Sequence, residues 1–162
     1  MNMLVCADKN WGIGNKDQML VSIPSDKKFL QEVTLGKVII GGRKAMEALP
    51  GGTTLKGRVN IVLTSKKDYS FSDAVIVHSM EEAMAELDKY PSEDIFVIGG
   101  ESVFRQFLPY CDRVFVTKVD YKYEADAFFE NLDDSEEWVM THDSDEQTYY
   151  DLEYYLYQYK RV

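Results

Sequence analysis

The chain is poor in the residues that build covalently stapled or metal-held scaffolds. Its 162 residues include two cysteines, Cys6 and Cys111, and two histidines, His78 and His142. The cysteines are too few and too far apart for a disulfide framework or a CxxC metal site. Neither histidine has a neighbouring ligand at metal spacing, and no HExxH occurs, so no metal is expected. GxSxG and GxGxxG are absent as well. Gly52 to Arg58 comes near a P-loop, but Arg58 stands where lysine is required and Val59 where Ser/Thr is required, and the stretch leads into a strand. Apolar runs are only a handful of residues long, too short for a membrane-spanning helix. Asp8, Lys9 and Asn10 interrupt any leader-like stretch at once. The formal charge of −10 argues against a nucleic-acid partner. These absences favour a reducing cytoplasm and a small-molecule partner.

What is present suffices for a folded core. The sequence is 45% hydrophobic and 13% aromatic, and its length suits one domain over residues 1–162. Charge is unevenly divided. Residues 1–70 hold 11 Lys/Arg against 6 Asp/Glu, and residues 71–162 hold 7 against 22. An anionic ligand is better placed on the first half, although solvated faces alone could produce the same asymmetry.

β-branched apolar runs alternate with helical patterns. Strands are expected at Met3–Ala7, Lys37–Ile40, Arg58–Leu63, Ala74–Val77, Asp94–Ile98 and Arg113–Val119. Helices are expected at Ser25–Val33, Arg43–Leu49, Met80–Leu87 and Ser102–Leu108. This alternation predicts an α/β fold, with a mainly parallel twisted sheet of about eight strands and helices on both faces. Trp138–Thr141 and Tyr149–Tyr159, joined through the polar turn His142–Gln147, read as a C-terminal antiparallel hairpin whose last strand closes the sheet edge. The acidic stretch Tyr121–Glu137 reads as surface loop.

Three strand ends combine glycine or hydroxyls with anion binders. They are Gly41-Gly42-Arg43-Lys44, Thr64-Ser65-Lys66-Lys67 and Gly99-Gly100-Glu101-Ser102. Helix N-termini offer free N–H groups and a positive dipole end, and ligands of open α/β sheets bind beyond the carboxyl ends of strands. Any one of these could be an ordinary turn. Together they favour a dinucleotide with more than one phosphate position. Ile23-Pro24-Ser25-Asp26 reads as a helix start, where an acid in the first turn is explained by the dipole alone. Arg58, read alone, is an ordinary surface arginine.

The same residues carry a resemblance. Ala7-Asp8-Lys9-Asn10-Trp11-Gly12-Ile13-Gly14, Ile23-Pro24-Ser25-Asp26, Gly42-Arg43-Lys44-Ala45-Met46-Glu47, Leu55-Lys56-Gly57-Arg58, Val97-Ile98-Gly99-Gly100 and Phe107-Leu108-Pro109 occur in the order and spacing of the dihydrofolate reductase family. The chain resembles that family, in its bacterial type, along nearly its whole length. The resemblance implies a cytoplasmic monomer that reduces 7,8-dihydrofolate to tetrahydrofolate with NADPH. Asp26 falls on the family's active-site carboxylate, which holds the pterin and favours protonation at N5, with Thr117 supporting it. Leu4, Val5, Leu20, Lys27, Leu30, Leu49, Leu55, Ile98 and Phe104 fall on the folate cleft, the carbonyls of Leu4 and Ile98 facing the 4-amino position of inhibitors. Arg58 falls on the binder of the glutamate α-carboxylate.

The resemblance places the NADPH site on Cys6 and Ala7, and on a mobile lid spanning Gly12–Met19 that includes Ile13, Gly14, Asn15, Gln18 and Met19. It adds Gly42, Arg43, Lys44 and Ala45, then Leu63, Thr64, Ser65 and Lys66. The third cofactor segment is Ile98, Gly99, Gly100, Glu101, Ser102, Val103, Phe104 and Gln106, with Gly99-Gly100 on the family's cis peptide. Some positions depart from the family pattern. Met19-Leu20-Val21 replaces Leu/Met-Pro-Trp, Ala45 and Ala127 replace threonines, and Phe104 stands where tyrosine is common. Two alternatives remain: a related pyrimidine reductase of riboflavin synthesis, and a non-catalytic nucleotide-binding module. Asp26 and Arg58 favour folate over the first, and Asp26 argues against the second. A short-chain pteridine reductase is disfavoured because no Tyr-x-x-x-Lys occurs.

Overall fold

A computed structural model describes all 162 residues. Its centre is β1 (Asn2–Ala7), flanked in parallel by β7 (Ile95–Val97) and β8 (Arg113–Val119). Beyond β7 lie β4 (Val38–Gly42), β5 (Val59–Leu63) and β6 (Val75–Val77), all parallel. Beyond β8 the sheet turns antiparallel through β12 (Leu152–Arg161) and β10 (Trp138–Asp143), and β11 (Gln147–Tyr149) also pairs with β12. The order is β10-β12-β8-β1-β7-β4-β5-β6.

Alternation along β1 explains the two layers. Met1, Met3, Val5 and Ala7 enter a core of 23 buried residues with Ala83 and Leu87 of α3 (Met80–Leu87) and Val103, Phe104 and Phe107 of α4 (Glu101–Phe107). Leu4 faces the other way, into a cluster with Ile39, Met46 and Leu49, against which Leu30 and Val33 of α1 (Pro24–Val33) pack. Met46 belongs to α2 (Arg43–Glu47). Side chains that alternate across a pleat thus give each face its own helical cover. Pro24 occupies the first turn of α1, where its missing N–H costs nothing.

Four expectations need correction. The last strand does not close the edge. β12 lies between β8 and β10, and β10 and β6 are the edges. The reason is burial on both sides of β12: Tyr159 packs beside Trp11 in the main core, and Tyr154 packs with Ile23 on the opposite face. The expected single strand from Tyr149 also breaks at Tyr150, whose φ is 55°, so that β11 folds back on β12. The acidic stretch 121–137 is not all surface loop. It contains β9 (Ala127–Phe128) and a 3-10 turn (Leu132–Asp134), because Phe129 and Leu132 are buried in the main core. Finally, α2 ends at Glu47, before the 3-10 turn Pro50–Gly52.

A second, small sheet was not expected from the sequence. β2 (Gly12–Asn15) pairs with β3 (Gln18–Met19) and with β9. Its tip, Lys16-Asp17, has φ of 50° and 65°, the conformation of a two-residue hairpin with both central residues left-handed. The peptide Gly99-Gly100 is cis.

Candidate active site

A cleft of about 1400 Å³ opens where β4, β5 and β7 end, lined there by Gly42, Leu63 and, just past β7, Ile98. α1 forms one wall with Asp26, Lys27, Phe29 and Leu30, and the small sheet overhangs it with Ile13, Gly14, Asn15, Gln18 and Met19.

Asp26 sits in the first turn of α1, against the sheet. The Thr117 hydroxyl donates to its Oδ1 at 2.6 Å. Burial raises the carboxyl above the usual carboxylate range, and the Thr117 bond pulls the other way without cancelling it. Cys6 is next to Asp26 in this wall, and burial together with the Asp26 charge pushes its thiol far up, so it is inert as a nucleophile. Thr117 occupies Oδ1, which leaves Oδ2 to accept from a ligand. The site therefore holds one carboxylate of raised proton affinity on an otherwise largely apolar wall.

The far end is polar and basic. Arg43 Nη1 lies 3.2 Å from Glu47 Oε1, and Glu47 Oε2 accepts from the Tyr69 hydroxyl at 2.6 Å. Lys44 Nζ reaches across to Asp17 Oδ2 at the lid tip, 2.6 Å away. Thr64 and Ser65 follow β5, and the Thr64 carbonyl lies 2.8 Å from His78 Nδ1.

Carboxylates hold the small sheet in place. Asp8, only 2% exposed, accepts from the amides of Asn10 and Gly12, both at 2.8 Å, and from Tyr123 at 2.9 Å. Asp126 accepts from the Lys16 amide at 3.0 Å. Glu101 accepts from the Phe128 amide at 2.7 Å.

Most of the expected residues meet in this one cleft. Besides Asp26, Lys27 and Leu30, its walls include Leu4, Val5, Cys6, Leu49, Ile98, Phe104 and Thr117. They also include Gly42, Arg43, Lys44, Ala45, Leu63, Thr64, Ser65, Gly100, Glu101, Ser102, Val103 and Gln106. Six expected residues are not on the walls. Ala7 and Leu55 are buried in the two cores, and Gly99 turns its carbonyl to the Gly42 amide at 2.7 Å. Lys66 is exposed, and Leu20 is half-buried beyond the lid strand. Arg58 bonds to the Gln31 carbonyl, the Lys56 carbonyl and Thr34 Oγ1, which puts it about one turn of α1 past Lys27 and Leu30. His78, Ser22 and Phe115 line the cleft and were missed. For His78 the signal was available: it follows β6 as Thr64 follows β5.

Comparison with known proteins agrees with this arrangement. A family model described as dihydrofolate reductase matches residues 1–161. The dihydrofolate reductase of Staphylococcus haemolyticus is 35% identical over 165 aligned positions, covering 100% of this chain and 96% of that protein. That of Bacillus subtilis (strain 168) is 31% identical, covering 99% and 95%. The structure of Enterococcus faecalis dihydrofolate reductase complexed with NADP(H) and RAB-propyl superposes with a TM-score of 0.83 at 30% identity, covering 99% of this chain and 95% of that one.

Proposed function

Because the chain belongs to the dihydrofolate reductase family, we propose that it reduces 7,8-dihydrofolate to 5,6,7,8-tetrahydrofolate as a single-domain, cytoplasmic monomer. The observation that carries this reading is Asp26: one carboxylate with raised proton affinity, fixed by Thr117, on the apolar wall of a cleft whose other end is basic.

The residues present fit NADPH. A guanidinium, an ammonium and two hydroxyls gather beyond β4 and β5, a donor set suited to a phosphate monoester. Gly100 lines the cleft with nothing within 4 Å of where a Cβ would stand, which leaves room for a ligand against the backbone. NADPH, when bound, supplies the hydride that C6 of the pterin accepts. Asp26 holds the pterin through N–H groups of its 2-amino-pyrimidine edge. Its negative charge favours the proton that N5 takes up, so the reduction gains one hydride and one proton. Leu4, Leu30, Leu49 and Phe104 pack the rings and exclude water. Arg43, Lys44, Thr64 and Ser65 hold the phosphate end, and the β2–β3 hairpin covers the nicotinamide side. Arg58, beyond the wall, takes the α-carboxylate of the glutamate tail. Val21, where the family carries its indole, packs against the cluster of Ile23, Val119 and Tyr154 and does not line the cleft.

Loss of NADPH absorbance on adding dihydrofolate, abolished by a diaminopyrimidine inhibitor, is the expected result. Turnover of a ribosylamino-pyrimidine instead would establish the riboflavin-pathway alternative. NADPH binding with no turnover of either substrate would establish a binding module.

A further inference from the structure

The small sheet over the cleft cannot hold its own position. β3 and β9 are two residues each and β2 is four, far below what an independent sheet needs. Beside backbone bonds and the packing of Ile13 on the core, carboxylates that hold its amides help place it. Asp8 fixes its base and Asp126 its tip. Glu101 differs from both because it is the first residue of α4, and like Asp126 it lines the cleft itself. Its Oε2 accepts from the Phe128 amide at 2.7 Å, and its Oε1 lies 3.6 Å from Arg105 one turn along. Phe128 pairs with Gly12, and Ala127 with Gly14, across β9 and β2. An unbroken path therefore runs from the start of α4 through one side chain to the hairpin that overhangs the cleft.

We propose that Glu101 is a positioning residue: its carboxylate ties the cofactor-bearing start of α4 to the lid sheet and sets how fast the cofactor leaves. The proposal rests on the cofactor reading above. A ligand pressing on the first turn of α4 is felt by the lid through this bond, which acts beside the Phe104–Phe129 packing and the Lys44–Asp17 pair. Reach matters more than charge. Glutamine keeps an acceptor oxygen at the same distance, whereas aspartate keeps the charge but is one methylene short.

The test compares Glu101→Ala, Glu101→Asp and Glu101→Gln with the parent. Amide hydrogen exchange is followed in the unliganded proteins, and NADPH dissociation by stopped-flow fluorescence. In the Ala and Asp variants, exchange accelerates at Phe128 and along Gly12–Asn15, and NADPH dissociates about tenfold faster, the low end for a lost hydrogen bond to a charged group. Gln recovers most of both effects. The proposal is overturned if dissociation is unchanged in Ala and Asp, if exchange changes stay confined to Phe128, or if Gln behaves like Ala. A parent that binds NADPH but does not reduce dihydrofolate, while the exchange and dissociation pattern holds, overturns the catalytic reading and supports the tether.

Discussion

At the scale of single residues, Asp26 carries opposite demands. Asp26→Asn keeps the shape and removes the charge. Hydride transfer at neutral pH should drop about 10²- to 10⁴-fold, with partial recovery at low pH where solvent protonates the substrate. Single-turnover kinetics across pH checks this. The same substitution should stabilise the fold. Folding raises the Asp26 pKa, so its contribution is fully present below the unfolded value, near 3.9, and is lost as pH rises through the folded value. At neutral pH the ionised carboxylate therefore opposes folding. Asp26→Asn should melt higher than the parent at pH 7, and the gap should close below about pH 4. Arg58 separates a structural role from the proposed contact with the glutamate tail. Arg58→Leu frees the Gln31 and Lys56 carbonyls and should lower stability by about 1–3 kcal/mol, read from urea midpoints. It should also raise the KM for dihydrofolate at least about tenfold, yet leave the Kd of a tailless diaminopyrimidine nearly unchanged. Equal weakening of both ligands would make Arg58 purely structural. Asp26 shows what a sequence can say at this scale. Local rules explain it fully as a dipole-favoured first-turn acid, and only the ordered set of family motifs marks it as chemical.

At the scale of elements, continuous apolar runs located the parallel strands, which are buried on both faces, and apolar periodicity located α3, which buries one. Such patterning failed where tertiary contacts decide. β2, β3 and β9 are short, and their pairing is supported by carboxylates remote in sequence: Asp8 on Gly12, Asp126 on the Lys16 turn and Glu101 on Phe128. β12 was misplaced because tyrosines on both faces suit an edge or an interior strand equally, until Tyr154 and Tyr159 are seen to be buried on opposite sides. The cleft residues after β4 and β5 were readable from the strand-end rule, and the same rule applied to β6 would have found His78. The junction of β4 and β7 is also tightly packed. A Cβ on Gly41 would stand 3.0 Å from Ile98 Cγ1 and 3.2 Å from the Gly99 carbonyl oxygen. Gly41→Ala should cost about 1–3 kcal/mol in urea unfolding, since overpacking forces neighbours off their minima. It should also weaken NADPH binding, because Ile98 and Gly100 line the cleft.

At the scale of the molecule, the two halves divide the work. The net basic first half supplies α1, α2 and the cleft-facing ends of β4 and β5, and the acidic second half supplies Thr117 and the strands behind it. A ligand spanning that cleft binds only the folded chain. At about one hundred times Kd it adds about 2.7 kcal/mol, or a Tm rise of about 5–10 °C at this size. NADPH should produce that shift at a concentration where NADH gives much less, and Arg43→Ala should narrow the difference. Differential scanning fluorimetry reads both. The place of β12 has a further consequence, for the order in which the molecule can be assembled. The strand that joins β8 to β10 spans residues 152–161, so it leaves the ribosome after both of its partners. Until then β8 presents a bare edge that includes Val114, Val116 and Val119, all buried once the sheet is complete. A nascent chain stalled before residue 152 would carry that edge exposed, open to pairing with another copy. Closure of the sheet thus waits for residues 152–161, and a chain cut short before them is an adhesive species where a shorter enzyme would otherwise be.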